Sequence, residues 1–171
     1  MSNKNLEFIK NRRSIRKYTN ESIDDETIKE ILTCAMSAPS AMNQQCWEFI
    51  VIKDKDTMKK ITEFQEYSKM LNDASLVIVV CGNLKIEKTE GYWVQDCSAA
   101  MENLLLAVEA LDLGAVWLGI YPRDHRIKAL SELLKLPDYI KPLGIASIGH
   151  KGEFKKFENR YNNDKVHFEK W

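Results

Sequence analysis

The stretch "NRRSIRKYTN", residues 11–20, sets Arg12, Arg13, Arg16 and Lys17 around the hydroxyl of Ser14. Guanidiniums hold an oxyanion through paired N–H donors, and a serine hydroxyl completes such a shell. Three readings stand open for a cluster of this kind: a solvated turn after a helix, a nucleic-acid patch, or a pocket for one phosphate. A nucleic-acid face wants many phosphate contacts and a basic surface. The chain has 25 Lys plus Arg against 25 Asp plus Glu. No global field therefore draws it to a polyanion, and the cluster is a local device. Neither G-x-x-x-x-G-K-[ST] nor G-x-G-x-x-G occurs, which argues against a Walker or Rossmann cradle.

Other chemistry-bearing residue types are sparse. Cys34, Cys46, Cys81 and Cys97 form no C-x-x-C, and two of them lie in apolar stretches. They read as buried free thiols of a reducing cytoplasm, with Cys46 a packing residue rather than a nucleophile. His125, His150 and His167 have no zinc-ligand spacing, so no metal site is expected. No side-chain acid or base stands out as catalytic.

The elements that must position the Arg cluster belong to a chain of 171 residues, 44% hydrophobic and 29% charged. That length and composition suit one soluble domain over 1–171 with its own core. The N-terminus has no apolar signal-like region, and the run "LVIVVCG" at 76–82 is too short to span a bilayer. A cytoplasmic protein without membrane contact is expected.

Periodicity predicts a short helix at "LEFIKNR" and a stronger one at "DDETIKEILTCAMSA". In the second, Ile28, Ile31, Leu32, Ala35 and Met36 form one stripe, and Pro39 closes it into the loop "APSAMNQQC". Strands are expected at "WEFIVIK", "ASLVIVVCG", "AVWLGIY" and "PLGIASIG". Helices are expected at "KDTMKKITEFQEYSKML", at 92–112 and near 125–135, with Gly114 breaking the long one. The helix at 92–112 is apolar around most of its circumference, so it must be buried within the domain or between subunits. From Lys151 the chain turns polar yet carries Phe154, Phe157, Tyr161, Phe168 and Trp171. Such a tail suits a segment that docks on its own body or on another. The pattern predicts an α+β or α/β sandwich around a mixed sheet. Trp47, Trp93 and Trp117 read as core residues.

Four motifs, "RRSIRKY", "APSAMNQQCWEFIVI", "LGAVWLGIYP" and "RYNNDKVHFEKW", occur in this order along essentially the whole chain. In order and spacing they resemble the nitroreductase family of FMN-dependent oxidoreductases. The resemblance implies an α+β fold with a mainly antiparallel sheet flanked by helices, in an intertwined homodimer whose arm, 151–171, reaches the partner. It implies FMN at the subunit interface, with Arg12 and Ser14 on the phosphate and ribityl end. Arg13 would lie beside them, its backbone mattering more than its side chain. Arg16 would approach the N1/C2=O edge, where a fixed cation stabilises the reduced flavin. Pro39, Ser40, Ala41 and Asn43 would come from the other subunit's loop. Lys69 would meet the pyrimidine side of the ring, Leu118 and Gly119 would offer backbone near N5, and Arg160 would return to the phosphate. NADH or NADPH would give hydride to flavin N5 by a ping-pong cycle, and nitroaromatics or quinones would take the electrons.

Two positions depart from the family pattern. Cys46 stands where proline often precedes the tryptophan, and Glu158 stands where a lysine often precedes the tail arginine. A carboxylate there would repel phosphate unless Lys155 or Lys156 compensates or Glu158 points away. Another flavin chemistry, such as dehalogenation or enoate reduction, and a non-catalytic flavin binder both remain open. A lid that separates such branches would sit at "LKIEKTEG", 84–91.

Overall fold

A computed structural model describes residues 6–19 and 21–171. Asn20, the last residue of the basic motif, and the first five residues lie outside that description. Among the described residues five α-helices and four strands run α1 (Glu7–Asn11), α2 (Asp25–Met36), β1 (Trp47–Ile52), α3 (Lys55–Phe64), β2 (Leu76–Asn83), α4 (Trp93–Ala110), β3 (Leu113–Gly119), α5 (Asp124–Leu134) and β4 (Ile140–His150). The sheet order is β1-β2-β4-β3, antiparallel throughout. One parallel pairing, the bridge from Ser14 to Ala115, adds the basic segment to the β3 edge.

The unbroken apolar run of β2 follows from burial on both faces. Leu76, Ile78 and Val80 join the layer of α2 and α4, while Val77, Val79 and Cys81 join that of α3 and α5. The result is an α+β sandwich of three layers. Pro142 lies in β4, an inner strand, where its missing N–H would break a ladder. The register shifts beside it, between Val80 and Cys81 of β2, so a bulge absorbs the mismatch.

Asp24 caps α2 by accepting from the Thr27 amide at 2.7 Å, and Asp54 caps α3 from Thr57 at 2.8 Å. The third helix stops earlier than its periodicity predicts. Gln65 is extended and buried, and Lys69–Asn72 forms a separate 3-10 turn. Nor does Gly114 break the long helix: α4 ends at Ala110, the chain reverses at Asp112 with φ 57°, and Gly114 already lies in β3. Trp47 and Trp93 are buried as expected, whereas Trp117 is only half-buried. The chain itself covers most of α4, leaving Ser98, Ala99 and Leu106 half-buried.

Candidate functional site

The basic segment is held as an extra, short strand. Ile15 N–H donates to the Ala115 carbonyl at 2.9 Å, and Thr19 N–H to His150 at 3.0 Å. Gly114 and Gly149 permit this approach: a Cβ on either would come within 2.7 or 2.8 Å of Ile15 or Tyr18. The Tyr18 hydroxyl donates toward the Ile15 and Ser147 carbonyls at 2.9 and 3.0 Å, and its burial pushes the phenol pKa up. From the far side, the Glu153 carboxylate accepts from the Arg16 amide at 2.6 Å, and Lys155 donates to the Ser14 carbonyl. Residues just past β4 thus lock the backbone of the motif.

With the backbone fixed, the side chains divide. Arg13 donates to the Lys10, Arg12 and Lys156 carbonyls and lies over the Phe157 ring, so its guanidinium serves mainly as a clamp. Its Nη2 is nevertheless buried with no hydrogen-bond partner among the described residues. Arg12 pairs with Glu102 of α4 at 3.4 Å. The Ser14 hydroxyl and the Arg16 guanidinium make no hydrogen bond or ion pair among the described residues. Arg12, Arg13 and Arg160 line one cleft of about 470 Å³ together with Glu158. Lys155 faces Ser14 and Glu153, not Glu158, so the compensation foreseen for that carboxylate does not come from it.

Leu118 and Gly119 end the strand that the basic segment joins. Gly119 lies four positions beyond Ala115, about 13 Å of extended chain. Gly119 is exposed, and a Cβ there would meet nothing within 4 Å. Its carbonyl is pinned by two donors, Gln65 Nε2 and an Arg126 Nη, each at 3.1 Å. Gln65 also accepts from the Tyr67 amide, which anchors the turn that presents exposed Lys69. Neither Gln65 nor Arg126 is picked out by the sequence reading. A buried glutamine in a helical run was the available signal.

The "APSAMNQQC" loop is strained. Met42, Asn43 and Gln45 have φ of 48°, 49° and 48°, a left-handed region that costs non-glycine residues about 1–3 kcal/mol each. Asn43 tolerates it best, through its short amide. What holds the loop is Asp96 of α4, a buried carboxylate that sequence reasoning missed. Its oxygens accept from the Ala41 amide at 2.9 Å and from Gln44 Nε2 at 2.6 Å, with the Cys46 thiol at 3.6 Å. A lone acid among the apolar residues of "WVQDCSAAM" was the signal. The Ser40 hydroxyl accepts from the Gln45 amide at 3.0 Å, and Pro39 is exposed beside it.

The thiols beneath the loop are inert. Burial, aided by Asp96, pushes Cys46 up to about 11, and burial pushes Cys81 up to about 12. Cys97 is raised too, chiefly by burial. All four cysteines are free. Among the described residues no group of His, Cys, Asp and Glu could hold a metal, and no helix is long and apolar enough to cross a membrane.

The chain therefore presents its candidate residues as two sets. Arg12, Arg13, Ser14 and Arg16 lie along the β3 edge and Leu118 and Gly119 at its end, with Lys69 on the turn that Gln65 anchors and Arg160 on the cleft beside Arg12. Pro39, Ser40, Ala41 and Asn43 lie on the Asp96-tethered loop.

Known proteins match the chain over nearly its whole length. The Nitroreductase family profile matches residues 9–68 and 63–150. An Archaeoglobus fulgidus protein described as "Putative NADH dehydrogenase/NAD(P)H nitroreductase" is 48% identical over 170 residues, covering 97% of this chain and 98% of its own. A Parabacteroides distasonis crystal structure of the same description has a TM-score of 0.95 at 37% identity, over 99% of this chain and all of its own (100%). A Desulfovibrio desulfuricans nitroreductase structure described as a complex with FMN has a TM-score of 0.86 at 30% identity, over 100% of this chain and 99% of its own. With its fold matched at full length and its profile matched from Ile9 to His150, this chain belongs to the nitroreductase family.

Proposed function

We propose that the protein is an FMN-dependent NAD(P)H oxidoreductase, a single domain that works as a homodimer with flavin at the interface. The observation that carries this is the β3 edge: uncommitted donors at Ser14 and Arg16 lie beside the strand that ends in an open glycine. A flat ring can lie against Gly119 because no side chain occupies that space. The residues present fit the cofactor named for the Desulfovibrio relative.

FMN, when bound, supplies the hydride chemistry, taking two electrons from NAD(P)H and yielding them to an acceptor. The protein's part is to bind, orient and set potential. Arg12 and Ser14 hold the phosphate end, with Arg160 from the tail; Arg13 fixes the backbone between them. Arg16, unpaired in the described chain, supplies positive charge beside the ring edge. Gln65 and Arg126 fix the Gly119 carbonyl, so the peptide that faces the ring does not reorient. The second set, Pro39, Ser40, Ala41 and Asn43, covers the ring from the other subunit and excludes water. Nitroaromatics and quinones are the acceptor class. No side-chain acid or base is required, in keeping with chemistry carried by a cofactor.

The test is a visible spectrum of the purified protein, identification of the released flavin, and steady-state NADH and NADPH oxidation with menadione. Released FMN with sustained turnover is expected. A colourless protein, or one bleached once by NADH and then inert, sinks the proposal.

A further inference from the structure

Asp96 does more than tether one loop. Its partner Gln44 is buried, and the two ends of the Gln44 amide face opposite ways. The Nε2 donates to Asp96 at 2.6 Å, while the Oε1 accepts from the Lys88 and Thr89 amides at 2.7 and 3.2 Å. Only this orientation satisfies all partners, because a carboxylate cannot donate and backbone amides cannot accept. Lys88 and Thr89 belong to the exposed 84–91 segment, which otherwise hangs from few points. Besides local bonds to Asn83 and Tyr92 and the packing of Leu84 on the core, those are the Leu84 amide on the Tyr139 carbonyl, the Lys85 ammonium over the Tyr139 ring and Glu87 on the Trp93 amide. One buried amide therefore joins the strained 39–46 loop to the segment beside it.

We propose that Gln44, held by Asp96, is a positioning latch that sets the 84–91 segment over the ring-covering loop and so determines which acceptors fit. The inference rests on the flavin reading above for its consequence, though not for the latch itself. The carboxylate has no cationic partner among the described residues; its donors are Ala41, Gln44 and Cys46. Such a buried group is costly unless its donors stay in place, so loop and segment are ordered together. When the latch opens, 84–91 loses its two central anchors while the Ala41 contact persists. The segment then moves independently of the loop, and discrimination between compact and bulky acceptors falls.

The latch has a polarity that can be reversed. Gln44→Glu places two carboxylates face to face, and Asp96→Asn sets an NH₂ group against the Gln44 NH₂ or the Ala41 N–H. The double variant restores a donor–acceptor match: the new carboxylate accepts from Lys88, Thr89 and the new asparagine, whose oxygen keeps Ala41. Two readouts are taken on the flavin-loaded protein. One is the rate of tryptic cleavage after Lys85 and Lys88; the other is the ratio of kcat/KM for p-benzoquinone to that for menadione. Each single variant should be cut about tenfold faster, as expected for losing one or two anchoring hydrogen bonds. The acceptor ratio should shift severalfold, and both should return to within about twofold of wild type in the double variant. Wild-type cleavage in Gln44→Glu alone, or a double variant no better than the singles, overturns the latch. Cleavage that responds while the acceptor ratio never moves overturns the specificity role. If the singles do not fold, a protected double variant supports the latch and an unfolded one overturns it. A wild-type protein that reduces neither quinone sinks the flavin reading, and the tryptic rates still decide the latch.

Discussion

At the scale of single residues, the site separates groups that hold the chain from groups left free to hold something else. Arg13 spends its guanidinium on three backbone carbonyls, whereas Arg12, on the rim of the Arg160 cleft, pairs among the described residues with Glu102 alone. Arg12→Ala should therefore weaken FMN binding by about 2 kcal/mol, one charge-assisted contact, while leaving the melting temperature nearly unchanged. Titration of the apoprotein by flavin fluorescence checks this, and an unchanged dissociation constant removes Arg12 from the phosphate site. Gly119 makes a sharper test. Its backbone is not left-handed, and a Cβ would touch nothing in the chain. Gly119→Ala should therefore be neutral for thermal stability of the apoprotein. It should nonetheless lower flavin affinity severalfold, because the added methyl stands where the ring must approach. Equal affinity for both proteins would mean that the ring does not pass there.

At the scale of elements, the basic segment depends on a strap that follows β4. Glu153 has its carboxyl pKa lowered, first by the Arg16 amide and then by Lys155, relative to an ordinary 4.5. A depressed folded pKa contributes stability that is complete above 4.5 and lost as pH falls through the folded value. Acid should thus loosen the 14–16 segment and release flavin below about pH 4.5. Glu153→Gln should lose part of that affinity already at neutral pH and show a flatter acid limb, as a pH series of flavin retention would record. An acid limb of unchanged steepness would assign the loss to other carboxylates. The strap marks the boundary of what the sequence made legible. Apolar periodicity located the four strands and the main helices, because burial on one or two faces writes a repeat into the chain. The basic motif was legible because its residue types are unusual in such density. Gln65, Asp96 and Glu153 were not, because what each one holds lies 50 or more residues away in sequence, and Arg126 was not because its partner is a backbone carbonyl. Arg16 to Glu153 and Ala41 to Asp96 are contacts of that kind: a lone acid in an apolar run marks Asp96 as unusual, but no local pattern names its partner. The premature end of α3 escaped for the same reason: Gln65 leaves the helix to reach the Gly119 carbonyl.

At the scale of the whole molecule, the tail is the unpaid account. Phe154, Phe157, Tyr161, Phe168 and Trp171 are 86%, 53%, 71%, 83% and 100% exposed, although His167 and Trp171 stack at 4.3 Å. Each such ring contributes on the order of 1.5–3 kcal/mol when buried, and a single chain leaves that contribution unused. The α4 surface at Ser98, Ala99 and Leu106 is likewise only half-covered. Both features, with two sets of site residues on separate parts of one chain, fit a dimer in which tails embrace the partner. Deleting 158–171 tests this while leaving the Glu153 and Lys155 strap intact. It removes Arg160 and the last three aromatics together, so dimer and flavin should weaken together. Sedimentation should show a shift toward monomer or aggregate, and the preparation should be pale. Arg160→Ala in the full chain separates the two effects, since it should cost flavin affinity but leave the dimer intact. A truncated protein that remains a yellow, active dimer would mean that the tail aromatics bury nothing needed for assembly and that Arg160 holds no phosphate.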